Sequence, residues 1–177
     1  ELQDENRIIV KEGLKRIHHT KNMGLKSLIE VNGLEKDSIG AYHIGFVLGP
    51  CINAGGRLDT AKRALELFAS TDKETADRLA GDLKALNDSR KELTREGVEE
   101  AIAQVQNTAR RSERVLVVYL PDCHESIAGI IAGKVKEHFY RPTIVLTDAE
   151  EGVKGSGRSI PGYNMFEELS KVGELFT

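Results

Sequence analysis

The chain has no tryptophan, two cysteines and four prolines in 177 residues. Its aromatic complement is five phenylalanines and four tyrosines, so any platform for stacking nucleobases is sparse. Cys51 and Cys123 are too distant in sequence to suggest a disulfide framework or a zinc site, and we expect reduced thiols in a cytoplasmic protein. No apolar run approaches the roughly 18 residues that span a bilayer, and the opening ELQDENRIIV is charged where a signal peptide would be apolar. Nor is there a surplus of positive charge: 25 Lys and Arg against 28 Asp and Glu leave a net charge of −3. That excludes a protein basic throughout; a polyanion would have to be met by a local patch of cations. No D-x-D, no H-x-x-x-H and no serine or cysteine triad is found, so the chain lacks an obvious catalytic engine. His18 and His19 point about 100° apart on a helix and are a poor metal pair. The first residue is glutamate, from which we expect a piece of something longer.

Forty per cent hydrophobic residues suffice for a core, and the length fits one large domain or two small ones. Helical spacing runs from Asn6 to His19 and again from Gly24 to Val31. Ser38 is a candidate N-cap for a third helix that ends at Gly49-Pro50. PCINAGGRL, Pro50 to Leu58, reads as irregular, with Asp59 capping a fourth helix. Thr71 and Glu74 have capping-box spacing. Behind them Leu79, Leu83, Leu86, Leu93, Val98, Ile102 and Val105 recur at helical spacing, and no proline intervenes from Lys73 to Arg111. The pattern predicts a helix roughly 55–60 Å long, a connector between two lobes, with Gly97 as the point where it would break. VLVVYL (Val115 to Leu120) and TIVLT (Thr143 to Thr147) read as strands covered on both faces, with a helix over Glu125–Tyr140 between them. That order implies a parallel pair. Asn164 caps a last helix. The fold class is therefore α/β: a helical N-terminal lobe, a long connecting helix and a small α/β C-terminal lobe with a partly parallel sheet.

Two glycine-rich stretches and one histidine carry candidate chemistry. In Lys154-Gly155-Ser156-Gly157-Arg158-Ser159, glycines let backbone N–H groups approach an anion. Serine hydroxyls donate, and arginine grips phosphate bidentately. A plain β-turn with solvated charges has the same composition. The stretch lacks the order of a nucleotide-binding P-loop. Asn53-Ala54-Gly55-Gly56-Arg57 could bring an amide and a guanidinium to a phosphate or sugar, or form a turn in which Arg57 pairs with an acid. His124 follows the first strand at the start of a helix, where α/β folds commonly place ligands; a capping or solvated histidine would sit there too. Gly129 and Gly133, with Ala128 and Ala132, read as a small-residue face for close helix–sheet packing.

Taken in order, IGFVLGPCINAGGRLDTAKRALELF, LPDCHESIAGIIAGKVKEHFYRPTIVLT and GVKGSGRSIPGYNMFEEL closely resemble the RecJ family of single-stranded-DNA-specific exonucleases, of the DHH phosphoesterase superfamily. The resemblance covers nearly the whole chain. It implies residues 1–70 as the end of a catalytic domain, 71–112 as the connecting helix and 113–177 as a DHH-associated nucleic-acid-binding domain stopping short of its G-G-H motif. It also implies that the parent protein is a hydrolase, a 5′→3′ nuclease of DNA repair and recombination. Its Mn²⁺ or Mg²⁺ would be held by motifs this chain does not contain, with no catalytic or metal-binding residue and no cofactor in the segment itself. Single-stranded DNA is the implied partner, with other repair proteins as further candidates. Arg57, His124, Ser156, Arg158 and Ser159 become contacts to the strand or scissile phosphate, joined by Asn53, Lys154 and Gly157. A phosphodiesterase acting on short oligonucleotides or cyclic dinucleotides, and a non-catalytic nucleic-acid-binding module, are the alternatives. Cys123, Ser126 and Lys134 depart from the usual tryptophan, glycine and arginine of the pattern.

Overall fold

A computed structural model describes residues 2–58, 61–107 and 112–175. The described chain is mostly helical with one small sheet, and it divides into two compact units, Glu1–Arg90 and Lys91–Thr177.

The first unit holds α1 (Asp4–Ile17), α2 (Met23–Val31), α3 (Ala41–His43), α4 (Gly49–Leu58), α5 (Lys62–Ala69) and the start of α6 (Lys73–Gln106). Its core joins Leu28, Ile29, Leu48, Cys51 and Leu67 to Ala76, Leu79, Ala80 and Leu83 of α6. α2 and α5 pack closely at Gly24, where a methyl group would fall 2.0 Å from the Leu67 carbonyl oxygen. Asn22 caps α2 by accepting the Leu25 N–H at 2.8 Å.

Three expectations are corrected in this unit. Gly49-Pro50 does not end a helix. Ile44–Leu48 forms a π turn, in which the Gly49 N–H donates to the Ile44 carbonyl five residues back, and α4 continues from it. Proline lacks an N–H and its ring crowds the carbonyl four residues earlier; Pro50 stands just after the π turn, where the helical ladder is already shifted by one residue. PCINAGGRL is consequently helix, not loop. Ser38 is not the N-cap of α3, a position Gly40 occupies; the Ser38 hydroxyl donates to the Glu35 carbonyl within a 3₁₀ turn. The expected cap Asp59 lies outside the described residues.

Helix α6 starts one residue later than its sequence signal. Asp72, rather than Thr71, accepts the Thr75 N–H at 2.8 Å. The helix runs 34 residues without interruption, about 50 Å, and Gly97 does not break it. A methyl at Gly97 would lie 2.5 Å from Ile131 Cδ1, so the glycine is where α6 accepts the following helix.

The second unit combines the end of α6 with β1 (Leu116–Tyr119), α7 (Glu125–Phe139), β2 (Thr143–Ala149), β3 (Gly152–Arg158) and α8 (Met165–Ser170). The strand order is β1-β2-β3, with β1 parallel to β2 and β3 antiparallel to it. α7 buries Ile127, Ala128, Ile131, Ala132 and Val135 against Leu116, Val118 and Val145 of the sheet and Ala101 and Val105 of α6. Burial of this kind contributes about 1.5–3 kcal/mol per large aliphatic side chain. The strands are not covered on both faces as expected. Burial alternates along β1, and Val117 and Tyr119 stay about 40% exposed, because α7 covers one side of the sheet.

The stretch expected to be a glycine loop is strand β3. Gly152, at φ +85°, closes the hairpin from β2, a backbone that side chains rarely adopt. Asn164 caps α8 by accepting the Glu167 N–H at 3.3 Å, as its sequence predicts. Among the described residues no helix is long and apolar enough to cross a membrane.

Candidate nucleic-acid interface

Alternation along β3 sorts its residues by face. Lys154, Ser156 and Arg158 pair across to Thr147, Val145 and Thr143, all buried beneath α7, so the three polar side chains stand on the α7 side of the sheet. Gly155 and Gly157 occupy the opposite side. There a methyl would meet Leu146 Cδ2 at 2.9 Å or Met165 Sδ at 2.4 Å. The glycines of the motif thus make room for packing behind the strand, while the cation–hydroxyl–cation row faces forward at a spacing of about 6.7 Å.

His124 is the N-cap of α7. Its Nδ1 accepts the Ser126 N–H at 3.2 Å and faces the Ser126 hydroxyl at 2.8 Å. With Nδ1 engaged as an acceptor, a neutral ring carries its proton on Nε2. The loop before it is pinned to β2: the Leu120 N–H donates to the Leu146 carbonyl at 2.9 Å, and the Thr147 hydroxyl donates to the Cys123 carbonyl. Burial pushes the Cys123 thiol above its ordinary range, which argues against a thiolate nucleophile.

The charges along this surface are unequal. A cleft of about 530 Å³ beside His124 is lined by Glu125, Asp148 and Glu150 as well as Lys154, and Lys154 donates to Glu125 at 2.7 Å. A smaller cleft of about 230 Å³ continues along Ser126, Ala128, Thr147, Lys154 and Ser156. Arg158 lies beyond it, exposed. Its Nη1 donates to the Gly157 carbonyl at 2.7 Å and reaches Ser156 Oγ at 3.4 Å. Among the described residues no carboxylate pairs with it. The uncompensated positive end of the row is therefore Arg158.

Ser159 follows the strand and donates its hydroxyl to the Tyr163 carbonyl at 2.6 Å, holding the turn before α8. Asn53 and Arg57 belong to the other unit. Four residues apart on α4, they share its exposed face, while Cys51, Ala54 and Gly55 face the core. The structure thus brings His124, Lys154, Ser156 and Arg158 along one side of the second unit, and Asn53 with Arg57 on one face of the first. Sequence reasoning missed Gly129 of α7, where a methyl would fall 2.6 Å from Arg158 Nη2 and 2.7 Å from Ser156 Oγ. Its helical spacing read as plain packing, and no sequence signal pointed to the side chains lying over it.

Among the described residues no three His, Cys, Asp or Glu side chains come together as a metal-holding group. His18 is engaged otherwise, Nδ1 lying 2.5 Å from the Lys36 carbonyl oxygen. The described residues do not fit a divalent-metal centre.

Residues 112–176 match the DHHA1 domain. Over 176 residues the chain is 38% identical to the single-stranded-DNA-specific exonuclease RecJ of Bacillus subtilis (strain 168), covering 98% of this chain and 22% of that protein. It is 37% identical over 180 residues to the RecJ of Salmonella typhimurium, covering 99% and 31%. The crystal structure of RecJ in complex with Mg²⁺ from Thermus thermophilus superposes with a TM-score of 0.84 at 30% identity, over 98% of this chain and 26% of that one. The structure of exonuclease RecJ bound to manganese gives 0.81 at 31%, over 96% and 41%. The chain spans under a third of the curated relatives it matches. Sequence and fold thus agree with one stretch of the RecJ proteins across nearly all of these 177 residues, and residues 112–176 match the DHHA1 domain.

Proposed function

We propose that this chain is the strand-holding part of an exonuclease specific for single-stranded DNA, acting 5′→3′ in DNA repair and recombination. The observation that carries the reading is the row Lys154–Ser156–Arg158 on the α7 side of β3, ending in an arginine with no carboxylate partner among the described residues. Successive phosphates of an extended strand meet a cation, a hydroxyl and a cation in turn. Phosphate contacts of this kind fix the register of a nucleic acid without reading its bases, which suits an enzyme that digests any sequence. His124 offers an Nε2 donor at the far end of the row, and Asn53 and Arg57 supply a further contact surface on α4. The relatives were solved with Mg²⁺ or Mn²⁺. Such an ion in the parent enzyme would be held by residues outside this chain, whose task is to position the backbone and offset its charge.

Fluorescence anisotropy of a labelled oligothymidylate with the 177-residue chain tests this. Weak binding that falls with salt is expected. Arg158→Ala should weaken it about tenfold, as for loss of a charge-assisted hydrogen bond, and should flatten the log–log salt slope by about 0.7. An unchanged dissociation constant removes Arg158, and with it the reading.

A further inference from the structure

We propose that Gly129 is a positioning residue for Arg158: the missing side chain leaves a slot on the surface of α7 in which the guanidinium lies. The inference rests on the strand-binding reading above. A methyl at Gly129 would lie 2.6 Å from Arg158 Nη2, 3.3 Å from its Cζ and 2.7 Å from Ser156 Oγ, all closer than carbon makes non-bonded contact. The two side chains at the positive end of the row thus share one gap in the helix, and that gap is one Cβ wide.

General helix–sheet approach does not explain the glycine. Gly133, one turn later on the same side of α7, has nothing within 4 Å of where its Cβ would be, and the tight packing is made by Ala128 and Ala132. Glycine inside a helix is less favourable than alanine. At position 129 alanine would be opposed only by the ends of two side chains free to swing away. Alanine therefore suits the fold and not the arrangement. With Gly129 in place, Arg158 is held between the helix surface and the Gly157 carbonyl. A long side chain restrained in this way gives up less rotamer freedom when it grips a phosphate.

The test compares Gly129→Ala, Gly133→Ala, Arg158→Ala and the double variant Gly129→Ala/Arg158→Ala in the intact chain, by oligothymidylate anisotropy and thermal melting. Gly129→Ala should weaken binding about tenfold, approaching Arg158→Ala, with a melting temperature equal to or above that of the parent. Gly133→Ala should bind as the parent does. In the Arg158→Ala background, Gly129→Ala should have no further effect. Parent-like binding by Gly129→Ala while Arg158→Ala binds weakly overturns the inference and leaves the strand-binding reading standing. An equal loss from Gly129→Ala with or without Arg158 also overturns it, because the glycine would then act through something else. Parent-like binding by Arg158→Ala sinks both. Should Gly129→Ala fail to fold, folding of the double variant supports the contact, and its failure refutes it.

Discussion

Lys154 Nζ donates to Glu125 Oε2 at 2.7 Å, joining β3 to the first turn of α7. The shared hydrogen bond holds the Glu125 carboxyl below the usual carboxylate range and raises the Lys154 ammonium above its own. Both groups are solvated, so the pair adds little to stability; its effect is to occupy one cation of the Lys154–Ser156–Arg158 row. Glu125→Gln should tighten oligothymidylate binding by a few-fold at low salt. Weaker or unchanged binding would place Lys154 outside the interface.

The same pair sets a pH dependence. Because Glu125 titrates lower in the folded chain than unfolded, its small stabilisation is present above the unfolded value and is lost as pH falls through the depressed one. Lys154 is released over that acid window. Binding by the parent relative to Glu125→Gln should improve only there, and a constant ratio from neutral pH down into that window would show that the acid does not restrain the lysine.

With Mn²⁺ present, the purified chain should leave labelled single-stranded DNA uncut on a denaturing gel. Metal-dependent digestion by homogeneous material would overturn the assignment of this chain to holding rather than cutting.

Gly97→Ala drives a methyl to 2.5 Å from Ile131 Cδ1 and should destabilise the second unit by about 1–3 kcal/mol, as overpacking does. Gly81→Ala, with nothing within 4 Å, should instead stabilise by about 0.5–1 kcal/mol. Urea unfolding of both distinguishes a packing glycine from an idle one, and equal effects would contradict the contact.

Asp72 caps α6, and the Thr75 N–H holds its carboxyl below the usual range. The stabilisation is complete above the unfolded carboxylate value and is lost as pH falls through the depressed folded one. Asp72→Ala should therefore lower the melting temperature at pH 7, with the difference from the parent shrinking in acid; a gap that stays constant would argue against the cap.

Helix spacing and the two apolar strands were legible in the sequence because periodic burial leaves a period in the text. The hidden features had two causes. Glycine counts against strand and helix by propensity, so GVKGSGR and PCINAGGRL both read as loops. In β3 the glycines are required by Met165 and Leu146 pressing on the strand from behind, and in α4 Gly55 lies buried on the core face. The alternation of Lys154, Ser156 and Arg158, after a turn at Glu150-Glu151-Gly152, was the signal that could have revealed the strand. The other cause is that Gly129 answers to side chains nearly thirty residues away, and local pattern carries no record of such contacts.

The π turn at Ile44–Leu48 holds one residue more than an α-helical turn would need. Each residue of a helix rotates the next by about 100°. Deleting any one position there would restore an ordinary turn and swing Asn53 and Arg57 roughly a quarter of the way round the helix, with no change to either side chain. The direction in which that guanidinium leaves α4 is thus a matter of counting, set by the number of residues that precede it in the spacer.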